Sequence, residues 1–503
     1  MGCLPGTHDV DGNPLTGECG CEYACTPTST GGDPIDGDYT DDNCDGGDGL
    51  VERCVYVSAS EGDDGNSGTR MAPMRTIAAA IQAARDNAVP AVCLSGELYE
   101  EAVTVASGIS VYGGFDHKDP DFKFRRSPAV TTTVRAMGTV FHAPAIEQET
   151  HIEGLTIEAL SPSSRGASTY GVRLGGGRAQ LFVRYNHIDV EDGQDGADGA
   201  HGAAHSAGTA PAGKAGEVGC DACSSKGYGG AQPTCTEFGG AGGRGGYNNN
   251  AGAAGSPGSG GAVGGPGGAS ARSCGSDSAG GGTGTAGAPG QQGRPGAGGA
   301  SLGTIASGIY QPARGASGQN GTTGRGGGGG GGGGGGSCGI GCLCYEDRGG
   351  GGGSGGCGGL GGRPGQGGGG GGGSFGVLAA GGHVVVSGNV ITTGAGGTGG
   401  RGGDGGVGQR GGSGGLGGSA RDDSGGGGTG GKGGNGGDGG PGAGGGGGPS
   451  ACLAQSASVT FTFADNNCTT GTPGFGGASG TNPSGGVGGP GSNGMAGANL
   501  QIN

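Results

Sequence analysis

Short runs of strand type, rich in β-branched and aromatic residues, crowd the first third of the chain and return at long intervals to its end. The early ones are CVYVSAS from Cys54, AVCLSG from Ala91, AVTVASGISVYGG from Ala102, TVRAMGTVFHA from Thr133 and HIEGLTIEAL from His151. Between the first two lies RTIAAAIQAARDN, where Thr76 can cap a helix whose Ile77, Ala80, Ile81 and Ala84 share one face, ending near Asn87 and Pro90. The later runs repeat one pattern. Aligning LFVRYNHIDV from Leu181, VVVSGNVITTG from Val384 and FTFADNNCTTG from Phe461 superposes Val183, Val386 and Phe463. It also superposes Asn186, Asn389 and Asn466, then Ile188, Ile391 and Cys468. Val459, Phe461 and Phe463 alternate with Thr460 and Thr462, the period of a strand with one buried face. Three segments in one register predict stacked coils of a solenoid with an internal asparagine ladder.

A single amphipathic helix followed by regular short strands suits a β-helix whose open end that helix plugs, since solenoids need caps. The order VYVSASEGDDGNSGT, P-x-x-TIAAAI, LSGELYEEAVTVASGISVYGG resembles the opening of pectate-lyase-like β-helix domains of unknown function. The resemblance covers about 65 residues and implies a fold, not an activity.

After each late coil a glycine follows (Gly193, Gly394, Gly471), and there the pattern changes to triplets. Of 150 glycines, 25 lie in residues 1–192 and 125 in 193–503, too few side chains there for an ordinary core. GGT GGR GGD GGV GQR GGS GGL GGS runs from Gly396 to Ser419 without a slip. After ARDDS and two glycines, eight more triplets run from Gly427 to Ser450, predicting a hairpin of equal arms. The same arithmetic joins Gly315–Cys338 to Gly349–Gly372, and shorter runs occupy Gly252–Ala269, Gly281–Ser301, Gly471–Asn482 and Gly485–Asn499. Period three matches the polyproline-II-type helix, in which eight triplets span roughly 75 Å. GGX strands have two bare faces and belong inside a bundle; GXX strands have one and belong at its edge. The competing expectation is a disordered brush, because ordering glycine costs on the order of 1–2 kcal/mol per residue. The triplets resemble those of polyglycine-bundle phage adhesins, a snow-flea-type antifreeze protein and mycobacterial PE-PGRS tracts, and the resemblance lies in the repeat alone.

The predicted fold class is therefore all-β: a right-handed parallel β-helix with one capping helix, interrupted by glycine-triplet hairpins that form a polyglycine-II-type bundle. The expected division is an acidic module 1–53, β-helix 54–192, glycine-rich insertion 193–375, coil 376–394, triplet hairpin 395–450, coil 451–470, and a terminal glycine hairpin with last strand 471–503.

The net charge of −16 comes almost wholly from residues 1–66, with 15 acidic side chains against Arg53. Residues 193–503 balance 13 acidic with 13 basic, so no basic stripe exists and nucleic acid is not an expected partner. No apolar run approaches the roughly 20 residues of a membrane helix. The first residues lack a secretory layout, which gives the expectation that the natural start lies upstream. The 17 cysteines fall into four even local groups plus Cys93, predicting local disulfides with one buried thiol in an oxidising compartment. The rival is a zinc site at Cys220-x-x-Cys223 and Cys342-x-Cys344.

DDNCDGGDGLVE fits the calcium-loop pattern D-x-[DN]-x-[DN]-G-x5-E. Asp41, Asn43 and Asp45 would supply side-chain oxygens, Gly46 the turn, Gly47 a carbonyl and Glu52 both carboxylate oxygens; the cofactor expected is structural calcium. Asp48 stands where such loops place an aliphatic residue. The module resembles the Cys- and Asp-rich segments of myxobacterial surface proteins, a resemblance that implies metal binding.

These readings together predict an extracellular or cell-surface structural and adhesive protein that presents glycine-rich hairpins from a β-helix stalk and binds a polysaccharide or protein. The tips Tyr247–Asn250, Tyr345–Arg348 and Arg421–Asp423 are candidate contacts. The alternatives are a polysaccharide lyase or hydrolase, with Asp189, Glu191 and Asp192 as the dense acidic set, and an ice-binding bundle.

Overall fold

The computed structural model describes every residue except 1, 11–12, 19, 29–32, 34, 36–38, 50–52, 121, 272–275 and 338–345. Glu52, Tyr345 and the cysteines at 19, 274, 338, 342 and 344 thus lie outside the described residues.

The chain is nearly all β, and its strands build three long parallel sheets, an arrangement compatible with a β-helix-like fold. In the first sheet Cys54–Val57, Ala91–Ser95, Ser110–Asp116, Thr150–Glu153, Gln180–Arg184, His383–Ser387 and Thr460–Ala464 pair in that order. The second runs Leu98–Tyr99, Thr133–Met137, Thr156–Leu160, His187–Val190, Val390–Thr393, Asn467–Thr469. The third runs Val103–Thr104, Thr139–Ala143, Thr169–Leu174, Ser374–Ala379, Ser450–Gln455, Ala496–Gln501. The chain visits the sheets in turn, so inward residues of successive strands form one core: Val111, Ile152, Val183 and Val386 from the first sheet, Ile157, Ile188 and Ile391 from the second. Helix Ile77–Asp86 closes the start of this core with Ile77, Ala80, Ile81 and Ala84 buried. Its Thr76 cap accepts the Ala79 amide at 3.2 Å, and the Glu101 carboxylate takes the amides of Ile77 and Ala78 at 2.9 and 3.3 Å.

The asparagine ladder forms as expected. Asn186 donates to Asn389 Oδ1 at 3.1 Å and Asn389 to Asn466 Oδ1 at 2.9 Å. Each amide also satisfies backbone groups of the coil below, including Val183 O from Asn389 at 2.8 Å. A one-residue slip would orphan all of them, so the ladder fixes register across interruptions of 203 and 77 residues.

The glycine segments are ordered by backbone hydrogen bonds repeating every three residues. Gly327, Gly330 and Gly333 donate to Gly356, Gly353 and Gly350. Gly328 and Gly331 donate to Thr285 and Gly282, and Gly329 and Gly332 to Ser256 and Ala253. The carbonyls of the same segment accept from Gly240 and Gly243, from Gly265 and Gly268, and from Gly431 and Gly428. A segment bonded on all sides has no room for a Cβ, and here the sequence is unbroken glycine from 326 to 336. The equal arms 396–419 and 427–450 pair as the triplet count predicts, from Gly427 to Gly418 through Gly448 to Gly397. Edge residues add side-chain bonds at the same interval: Asp192, Asp195 and Asp198 accept the amides of Ala395, Thr398 and Arg401 at 2.6, 2.6 and 2.7 Å. Gly252–Ala269 is not one arm. Gly260 and Gly261, with φ of 75° and 93°, turn it back so that Gly255 donates to Gly265.

Two cysteine expectations are corrected. Cys93 is not an isolated thiol but pairs with Cys54, because the neighbouring first-sheet strands bring them together. Cys235 pairs with Cys357 across 122 residues, joining two groups read as separate. The local pairs Cys3–Cys21, Cys25–Cys44 and Cys452–Cys468 form as expected, and Cys220–Cys223 is a disulfide rather than a zinc pair.

Candidate metal centre and sheet-face cluster

The acidic loop folds around Asp41. Its Oδ1 accepts the Asp45 amide at 3.2 Å and its Oδ2 the Gly46 amide at 2.8 Å, as a short acidic side chain does in a turn. Asn43 Oδ1 takes the Asp45 amide at 2.9 Å and its Nδ2 donates to Asp45 Oδ2 at 3.1 Å, so this side chain serves the turn itself. Asp33, Asp41 and Asp45 each bring one carboxylate oxygen within 4.8 Å of the others. Asp33 is 6% exposed; its Oδ2 accepts the Gly49 amide at 3.0 Å while Oδ1 has no hydrogen-bond partner. Burial pushes its carboxyl up to about 7, against the lowering pull of the Asp42 and Gly49 amides. Tyr23 is pushed up to about 12 by burial and by its hydrogen bond to Asp41. Three carboxylates at this spacing suit a hard divalent cation. The sequence pattern found Asp41 and Asp45 but missed Asp33, which lies outside the loop spacing and is brought in by the fold secured by Cys25–Cys44.

Asp48 explains its departure from the loop pattern. It meets Arg126 at 2.6 Å with both side chains buried, and Arg126 also donates to Gly113 O at 3.0 Å and lies 4.5 Å over the Tyr39 ring. Gly46 packs so tightly on the Phe122 ring that any Cβ would overlap it. These contacts seat the acidic module on the first sheet.

The outer face of that sheet carries a second cluster. Tyr112, Glu153 and Arg184 stand in register on neighbouring strands, and His151 stands beside Phe182. Glu153 is wholly buried; its Oε1 receives Arg184 Nε at 2.6 Å and His151 Nδ1 at 2.8 Å, and Oε2 has no partner. His151 Nε2 reaches Glu149 at 3.1 Å, and its ring stacks on Phe182 at 4.7 Å and 11°. Between this face and the module lies a cavity of about 250 Å³ whose lining includes Asp33, Arg53, Tyr112, Glu149 and His151. Sequence reading passed over this cluster, although H-I-E and F-V-R place His151 with Glu153, and Phe182 with Arg184, on shared strand faces.

In the acidic set chosen from sequence each member has its own partner. Asp189 pairs with His187 at 3.0 Å, Glu191 accepts the Ser161 amide at 2.7 Å, and Asp192 anchors the glycine edge. Asp189 and Glu191 do share a cavity of about 210 Å³ with Glu158. The hairpin tips, by contrast, converge. Asn248 donates to Glu346 at 2.8 Å, Tyr247 bonds the same carboxylate, and Arg348 lies 5.0 Å over the Tyr247 ring. Asp221, Asp347 and Asp422 bring carboxylate oxygens within 4.8 Å, with Asp347 buried and bonded by the Ala222 amide at 3.0 Å. Among the described residues no helix is long and apolar enough to cross a membrane.

No family model and no solved structure matches the chain. Among curated proteins it is similar to the uncharacterized protein YwoF of Bacillus subtilis (strain 168), 30% identical over 139 residues. That match covers 27% of this chain and 28% of YwoF, so the chain spans little more than a quarter of the relative's length.

Proposed function

We propose that the protein is an extracellular structural and adhesive binding protein in which a right-handed parallel β-helix carries a polyglycine-II-type bundle as a rigid platform for its hairpin tips. The observation that carries this reading is the interior glycine segment 326–336, bonded to surrounding segments on every side. Such a bundle holds Tyr247, Asn248, Glu346, Arg348 and Asp422 in one patch, where free loops would scatter them. The disulfides within and between segments favour an oxidising compartment. The acidic module serves as a joint stiffened by calcium, with Asp33, Asp41 and Asp45 as ligands; Gly47 and Glu52 belong to the same loop reading.

The test is a panel of polysaccharides and cell-envelope fractions incubated with the secreted protein, with and without calcium, scored for retention and for cleavage. Retention without cleavage, lost on replacing the tip residues Tyr247 and Arg348, supports the reading. Cleavage sinks it and makes the His151–Glu153–Arg184 cluster the first place to mutate.

A further inference from the structure

The tip of the glycine bundle holds two arginines beside two tyrosines. Arg348 bridges Tyr247 through antiparallel backbone, and its guanidinium lies 5.0 Å over that ring. Its stem runs across Gly227, where an added Cβ would meet Arg348 Cγ and Cδ at 3.0 and 3.1 Å. Nη1 donates to Gly245 O at 3.0 Å, and the buried Nε has no hydrogen-bond partner. Arg244, one triplet before Tyr247 in the same segment, is exposed and lies 4.1 Å over the Tyr228 ring. Burial, and after it the charge of Arg244, pulls the Arg348 guanidinium below the usual arginine range.

Two cations held close repel each other, and the tyrosine rings beneath them offset that cost. Carboxylates share this tip and leave the arginines unpaired. Glu346 is taken up by Tyr247 and Asn248, Glu217 Oε2 by the Tyr228 amide at 3.3 Å, and Asp347 by the Ala222 amide at 3.0 Å beside Asp221 and Asp422. Among the described residues none of them closes an ion pair with Arg244 or Arg348.

We infer that Arg244 and Arg348 clamp a tetrahedral oxyanion, the phosphate or sulfate group of an extracellular glycan. The inference rests on the reading of the tips as the contact surface and names the chemistry they select. A guanidinium presents its donors as a planar fork, and two forks need acceptor oxygens in more than one plane. A phosphate or sulfate offers them, whereas the two oxygens of a carboxylate lie in one plane. The contacts with Tyr228 and Tyr247 fix the forks before the ligand arrives, so less side-chain freedom is lost on binding. One face of each tyrosine is already covered, which leaves less ring for a stacked base. The chain's net charge of −16 also disfavours a polymer as densely charged as nucleic acid.

Biolayer interferometry of the full chain on immobilised dextran, carboxymethyl dextran, dextran sulfate and phosphorylated dextran tests this, because one neutral backbone then carries each group in turn. The sulfated or the phosphorylated form should be held at least about tenfold tighter than dextran and carboxymethyl dextran, and whichever is tighter identifies the oxyanion. That binding should weaken as salt rises from about 0.05 to 0.5 M. Arg244→Gln removes an exposed side chain and should weaken it about tenfold, with circular dichroism unchanged. Lys432→Gln, equally exposed elsewhere on the bundle, should change it less than about twofold. Dextran or carboxymethyl dextran held as tightly as the other two would overturn the clamp and leave the tip reading standing. Binding indifferent to Arg244→Gln, or tighter binding of a single-stranded oligonucleotide, overturns it as well. So does no binding to any form, and the envelope panel then decides the tip reading separately.

Discussion

Replacing Gly353 by alanine should destabilise the protein by about 2–4 kcal/mol, although only one methyl is added to a surface-distant backbone. Gly353 donates to Gly428 O at 2.9 Å and accepts from Gly330 at 2.8 Å, so two of its sides are fixed. A Cβ on the third side would fall on the Gly415 carbonyl and lie 2.7 Å from Leu416 O. Backbone cannot rotate away as a side chain can, so the segment 412–418 must move. That segment is held to this one by Gly412 to Cys357, Gly415 to Ser354 and Gly418 to Gly351, at 2.9, 2.8 and 2.8 Å. Overpacking costs typically about 1–3 kcal/mol, and weakening two or three hydrogen bonds adds about 1 kcal/mol each. Reduced freedom of the unfolded chain returns about 0.4–1 kcal/mol. Gly176→Ala is the matched control, with nothing within 4 Å of an added Cβ, and should change stability by less than about 0.5 kcal/mol. Scanning calorimetry of the two variants beside the parent decides. Equal unfolding temperatures for both would refute the reasoning, because a brush of disordered glycine does not distinguish the positions.

Three further outcomes are expected. Asp48→Ala leaves Arg126 buried without its carboxylate and should cost about 3–5 kcal/mol, measured as earlier denaturant unfolding, with faster proteolysis of the acidic module. Asn389→Ala removes bonds to Val183 O, Ser387 O and Asn466 and should cost about 2–4 kcal/mol, whereas the exposed Asn249→Ala should be close to neutral in the same melt. Because the folded Asp33 carboxyl sits above its ordinary range, at about 7, the cation-free module binds an extra proton when folded. Its contribution is therefore present at low pH and lost as pH rises from about 4 through 7. Added calcium should offset the loss above neutrality, and Asp33→Asn should flatten the pH profile; an unchanged slope in the variant contradicts the assignment.

The parts legible in sequence were those written as repeats. The Asn186, Asn389 and Asn466 register survives long interruptions because each amide must meet the next, and the triplet count announces which arms pair. What escaped depends on which strand lies beside which. Cys54 and Cys93 are 39 residues apart and become neighbours only once the first sheet is assembled. Glu153 finds Arg184 one coil later, and Asp33 reaches Asp41 and Asp45 through a fold no linear spacing describes. Asp48 is instructive in the other direction: it looked like a flaw in a cation loop, and its partner Arg126 lies 78 residues away.

The central claim is that the glycine tracts are a packed body continuous with the sheets, and hydrogen–deuterium exchange over residues 326–336 tests it most directly. Their amides donate to carbonyls of three surrounding segments, so they should exchange as slowly as strand Gln180–Arg184, which is paired on both sides within the first sheet. Exchange at the rate of an unstructured chain would contradict the account and leave the hairpin tips without a platform.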